Sequence, residues 1–350
     1  MSAAAALALA LLLAAPEPAR PAAARPDPAR PAPGRVDPPG VYAPAADAAY
    51  AEAEAARRAG RFAEARAAFE ALAAQHPTSR RAVQALVAAA TIASLQQDAP
   101  EQAITLLEAA LRGPADVPGA MSALVQRLGL ERDLRGPEAE WRVIQTLVAR
   151  RPQAEYVPYL VIRAARLARA TPALGAARAL DPIRGLTDDP RWQRTSWLDD
   201  ALFERAQVER DAREPEAALR TLRRLVARRE TSLVVGEYDS DWTDDAYLGI
   251  AELLAGPLAR PADARAAYEA LVDEVPASVF VDDALHRAAQ LARAAGDTAG
   301  AARLEARLAA LRPDSRFAKP NPPRTPAVRR SVPSSDAPRE ADESRPPPER

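Results

Sequence analysis

Three times in this chain two aspartates and an alanine open a run of small and apolar residues: Asp199-Asp200-Ala201-Leu202, Asp244-Asp245-Ala246-Tyr247 and Asp282-Asp283-Ala284-Leu285. The starts lie 45 and 38 residues apart, which is the spacing of a repeated helix pair with variable inserts. After the third start, Ala284, Leu285, Ala288, Ala289 and Ala292 recur at steps of three and four and mark one helical face. Gly296-Asp297 then breaks the pattern, Ala301, Leu304, Leu308 and Leu311 resume it, and Pro313 ends it. Acids at such a start satisfy free N–H groups of the first turn and favour the positive helix end.

The same helix, break, helix order is clearest at residues 49–77, with the turn at Gly60, apolar positions at Phe62, Ala65, Phe69 and Leu72, and a stop at Pro77. A further pair is expected across 80–112. Less regular helices are expected at 118–134, 137–150 and 154–170, and loops from Thr171 to Thr195 and through TSLVVGEYDSDW, residues 231–242. Composition agrees, since 48% of the residues are hydrophobic but only 5% aromatic, and alanine is a strong helix former and a poor strand residue. The fold class expected is all-α.

This organisation resembles the tetratricopeptide repeat family. Its small first-helix residue is matched by Ala53, Ala206, Ala251 and Ala289, and its small second-helix residue by Ala65, Ala218, Ala264 and Ala301. Its aromatic position is matched by Phe69 and Tyr268 and its closing proline by Pro77, Pro152, Pro276 and Pro313, whereas Leu222, Glu305 and Glu230 depart from the pattern. The resemblance implies tetratricopeptide-like helical hairpins stacked as a right-handed superhelix, with an inner surface made by the first helices that receives a protein or peptide. Aligned on that pattern, the partner-facing residues are Asp200, Phe203, Gln207 and Arg210, then Asp245, Leu248 and Glu252, then Asp283, His286, Gln290 and Arg293. The DDAL pattern is also similar to that of bacterial periplasmic members associated with the cell envelope, which implies an envelope component as partner.

The ends of the chain are different. Residues 3–15, AAAALALALLLAA, are too short for a membrane span, which takes about 20 apolar residues, but suit an export signal. Ten of the 34 prolines lie between Pro16 and Pro44 and ten between Pro313 and Pro348, so both segments are expected to be extended or disordered. The organisation expected is a signal segment at 1–24, a Pro/Ala-rich linker at 25–46, a repeat domain at 47–313 with an irregular centre, and a Pro-rich tail at 314–350. This places the protein in the periplasm or outside the cell, with no stable transmembrane anchor.

Several chemistries lack their residues. The absence of cysteine excludes disulfides, thiolate ligands, cysteine nucleophiles and a lipid-modified cysteine. Formal net charge is -1, from 47 basic and 48 acidic residues, without the basic surplus of a nucleic-acid binder. Only His76 and His286 titrate near neutrality, and no phosphate loop, dinucleotide fingerprint or HExxH occurs. No catalytic residue, cofactor or metal is therefore expected. The acids of YDSDWTDD, residues 238–245, lack the EF-hand spacing for calcium. Trp192, Trp197, Tyr238 and Trp242 fall in expected loops or junctions, where they either fill gaps between repeats or anchor an interface. The function expected is a non-enzymatic periplasmic scaffold or adaptor; a cytoplasmic repeat subunit of a larger complex, or a spacer acting through its tails, fits the same residues.

Overall fold

The computed structural model describes residues 43–113, 116–228, 230–232, 236–238 and 241–318. The expected signal segment, nearly all of the expected linker and the tail from residue 319 lie outside them. Fourteen α-helices are described, and the chain divides into two compact units between Ala123 and Leu124.

In the first unit, α1 (Pro44–Arg58) pairs with α2 (Phe62–Gln75) and α3 (Arg80–Gln96) with α4 (Pro100–Arg112). Proline opens α1 and α4, where its missing N–H costs no helical bond. The Ser79 hydroxyl caps α3 by accepting the Arg81 N–H at 3.1 Å. Ala53, Ala65 and Phe69 are buried to within 1% of complete, and Leu72, Ala85, Ala89 and Ile92 join them in one core. The small residues matter because two backbones approach closely only where a methyl group separates them.

The boundary falls inside α5 (Ala120–Arg135), and the second unit continues through α6 (Pro137–Arg150) and α7 (Val157–Ala170). The region expected as loop then contains a 3₁₀ turn at Ala176–Ala179, a short helix α8 (Leu180–Asp188) and a second 3₁₀ turn at Pro190–Trp192. The expectation fails because Pro182 and Gly185 mask a real period: Ile183 and Leu186 are buried, and Pro182 sits in the first turn, where no N–H is needed. Three hairpins follow: α9 (Leu198–Asp211) with α10 (Pro215–Val226), α11 (Thr243–Ala255) with α12 (Pro261–Glu274), and α13 (Val281–Ala294) with α14 (Thr298–Leu311). Each packs on the next through α10 against α11 and α12 against α13.

Between α10 and α11 the expected loop holds a two-stranded antiparallel ribbon, β1 (Glu230–Ser232) and β2 (Gly236–Tyr238), with Thr231 opposite Glu237. The helical hairpins otherwise account for the architecture expected from the sequence. Ala206, Ala218, Ala251, Ala264 and Ala289 are completely buried, Ala301 and Tyr268 are 2% exposed, and Leu222 fills its aromatic position at 0%. A β-carbon on Gly249 would come within 3.0 Å of Leu222 Cδ1, so glycine is what lets α11 close on α10.

Buried carboxylates add a second kind of bond to the second unit. Glu209, completely buried, accepts from Arg184 Nε at 3.1 Å, Arg205 Nε at 3.0 Å and the Thr221 hydroxyl at 2.7 Å. Glu204 accepts from Arg166 at 3.0 Å and Arg169 at 2.6 Å, and Glu140 pairs with Arg163. Shared among several donors, Glu204 and Glu209 keep their hydrogen bonds inside the helical stack.

Candidate functional site

The acid at the start of each first helix sits three residues before a side chain on the same face, because three residues make most of a helical turn. In α9 the pair is Asp200 and Phe203, in α11 Asp245 and Leu248, and in α13 Asp283 and His286. All six are half-buried. The α9 and α13 pairs meet residues of the following junction. The Trp242 ring stacks on Phe203 with centroids 4.3 Å apart at 11°, and its Nε1–H donates to Asp200 Oδ1 at 3.3 Å. Phe317 stacks on His286 at 4.1 Å and 12°, and Arg316 pairs with Asp283 at 3.5 Å. Leu248 and Phe280 pack on one core cluster. The first unit has a charged version, in which Arg81 lies over the Tyr50 ring at 4.8 Å and pairs with Asp47.

In α11 and α13 the other aspartate of the pair completes the joint. Asp244 Oδ1 accepts the Asp245 N–H at 2.9 Å, and its Oδ2 accepts the Ser278 hydroxyl of the next junction at 2.7 Å. Asp282 does the same for the Asp283 N–H at 3.0 Å and the Ser315 hydroxyl at 2.8 Å. The expected capping role is thus half of what these acids do, and the N-cap positions themselves hold Trp197, Trp242 and Phe280 without a side-chain cap. Trp197 sits edge-on to Tyr159 at 5.8 Å. Two of the junction tryptophans therefore have packing partners within the chain; Trp192 ends its 3₁₀ turn beside Arg191, and the Tyr238 side chain lies outside the described residues.

The remaining candidates lie one or two turns further along the first helices. Arg210 donates to Gln207 at 3.4 Å and meets Glu252 at 3.7 Å; Glu252 also accepts from Arg287 at 3.0 Å. This row ties α9 to α11 and α11 to α13. Arg210 and Glu252 border a concavity of about 400 Å³ completed by Arg213, Pro215, Leu253 and Pro257. In α13, exposed Gln290 bonds His286 Nε2 at 2.9 Å, and Arg293 pairs with Glu305 of α14. The structure thus links Gln207, Arg210 and Glu252 to Arg287 of α13, while Asp200, Phe203, Asp283 and His286 are engaged in the junctions and Gln290 bonds His286. What sequence reasoning missed is the receiving role, since Ser278 and Ser315 stand more than thirty residues after their aspartates.

Electrostatics single out two of these acids. Burial first, and the neighbouring Asp199 second, raise the Asp200 carboxyl above its ordinary range against the opposing pull of Arg166. Asp245 is raised by burial and by Asp244, with no cation opposing. Among the described residues no group of three or more His, Cys, Asp or Glu side chains could hold a metal.

Residues 47–79 and 245–278 match the family model described as Tetratricopeptide repeat, and each match spans one hairpin and ends on the junction serine. Two hairpins of this chain match a tetratricopeptide repeat. It is similar in fold to the C-terminal part of a TPR repeat-containing protein from Cytophaga hutchinsonii, at 14% identity over 77% of this chain and 97% of that one, with a TM-score of 0.48. A tetratricopeptide repeat protein from Parabacteroides merdae is 16% identical over 76% of this chain and 93% of that one, TM-score 0.36. Pseudomonas aeruginosa pilF is 14% identical over 78% and 95%, TM-score 0.29. Likeness at this level carries no inference about binding or location. No curated protein matches the sequence. A repeat scaffold is the function class these repeats support, and among the described residues no helix is long and apolar enough to cross a membrane.

Proposed function

We propose that this tetratricopeptide-repeat chain is a periplasmic scaffold or adaptor that holds an envelope protein along the first helices of its second unit. The carrying observation is the row of polar side chains running from Gln207 and Arg210 through Glu252 to Arg287 and Gln290, across three successive hairpins. A surface of this kind reads an extended segment by hydrogen bonds, while the rigid stack beneath it spares the binding entropy of ordering a loop.

The partner chemistry follows from the acids. Asp245 meets no cation among the described residues and its carboxylate is held in an unfavourable setting, so a lysine or arginine arriving there gains a charge partner and relieves that setting. Asp200 stands on the preceding first helix with a similar bias. The periplasmic setting is supported by the apolar run at residues 3–15 followed by proline-rich sequence.

Two measurements test this reading. A photo-crosslinking side chain at Gln207 or Gln290 should capture one saturable partner, and the same group at Arg303 on the second helix α14 should not. Phe203 is unsuited to this test because its removal would undo the stack on Trp242. The mature N-terminus, sequenced from fractionated cells, should lie near residue 16 or 25 in the periplasmic fraction; an intact first residue in the cytoplasmic fraction would overturn the placement.

A further inference from the structure

Four second helices end in the same turn. The N–H two residues after a proline bonds the carbonyl just before it: Ser79 to His76 at 3.0 Å, Ala154 to Arg151 at 3.1 Å, Ser278 to Val275 at 3.0 Å and Ser315 to Arg312 at 3.0 Å. The first three turns lead directly into α3, α7 and α13. The fourth continues through Arg316, Phe317 and Ala318, the last of the described residues. Residues 313–318 therefore form the same junction turn, and among the described residues no helix follows it.

That junction is nevertheless seated as the internal one is. Ser278 bonds Asp244 and receives the Phe280 N–H at 3.1 Å; Ser315 bonds Asp282 and receives the Phe317 N–H at 3.2 Å. Phe317 then covers His286, and Arg316 lies over the Phe317 ring at 4.4 Å while reaching Asp283. At α11 the occupant is the head of α13 and leaves only if that helix comes away. At α13 the hold consists of three consecutive side chains, and Arg316 is 75% exposed.

We propose that Asp282, Asp283 and His286 form a recognition site for a Ser/Thr-x-aromatic segment with a cationic middle residue, filled in the free chain by residues 315–317 and opened by exchange with a partner segment of that chemistry. The inference rests on the first-helix surface as the partner-facing one, and assigns the occupant of its last helix. A filled site lowers apparent affinity in proportion to the fraction that is closed, so disabling the internal occupant must strengthen binding in trans.

The probe is a labelled peptide with the sequence of residues 312–318, RPDSRFA, titrated onto the full chain by fluorescence anisotropy. The S315A/F317A chain should bind it saturably and at least about tenfold more tightly than the unmodified chain. A peptide lacking serine and phenylalanine, RPDARAA, should not bind, and D282N/H286A added to the same chain should abolish binding. No binding by S315A/F317A, or equal binding by both chains, overturns the proposal. A second readout uses the unmodified fold: the chain has only two histidines, and saturating RPDSRWA should move the ring-proton resonances of His286 and leave those of His76 in place. An unmoved His286 signal overturns the exchange. Peptide failure would leave partner capture at Gln207 intact, whereas loss of that capture would leave peptide exchange standing.

Discussion

Arg213 has φ +63° and occupies the turn position that glycine holds at Gly60, φ +76°, and Gly296, φ +81°. The three turns share their hydrogen bonds, with Gly60, Arg213 and Gly296 each donating to the carbonyl three residues back at 3.0, 3.0 and 2.9 Å. A side chain in this left-handed region costs about 1 kcal/mol that glycine avoids. Arg213→Gly should therefore raise the unfolding free energy by about that amount in urea titration, and Gly60→Ala should lower it comparably. His286 gives the pH prediction. Burial and the surrounding Arg293, Arg316 and Arg287 press its ring toward neutrality, with only Asp283 opposing and Gln290 bonded to its Nε2. A histidine so depressed contributes fully above its unfolded value of about 6.5 and loses that contribution as pH falls through it. The melting temperature should drop on acidification through that window, and His286→Phe, which keeps a ring for Phe317, should show a smaller drop.

Elements were legible where period and punctuation agreed. Gly60, Pro77 and the apolar steps of residues 49–77 bound a hairpin without tertiary information, and the alanines aligned by repeat position all proved buried. What α8 needed was recognition that proline in a first turn is harmless, and the ribbon of β1 and β2 required weighing the β-branched run in TSLVV above its neighbouring glycine and acids. The joints were illegible for a different reason. Asp244 and Ser278 are 34 residues apart and their counterparts Asp282 and Ser315 are 33 apart, so only superposed hairpins bring them together. The packing argument predicts a clear order of damage. Phe69→Ala, at a completely buried position, should cost about 3–5 kcal/mol. Glu209→Ala leaves Arg184 and Arg205 without a shared acceptor and should cost about 3 kcal/mol. Loss of the exposed Arg57–Glu54 pair should stay below about 1 kcal/mol.

Across the whole molecule the helical-repeat class was readable because the hairpins repeat one solution, small residues inside, with paired acids opening α9, α11 and α13. Of the residues proposed for the candidate surface, Phe203 and His286 are stacked by Trp242 and Phe317 of the following junctions, and Leu248 packs on the core cluster that also receives Phe280. Chains of charge linking successive first helices through Glu252 leave Gln207, Arg210 and Gln290 as the direct means of testing partner contact. Crosslinking from Gln207 and Gln290, set beside Arg303 on α14, addresses the scaffold reading most directly. The account predicts one saturable protein partner captured from both first-helix positions and not from α14; equal labelling from all three, or none from α9 and α13 in a folded chain, would contradict it.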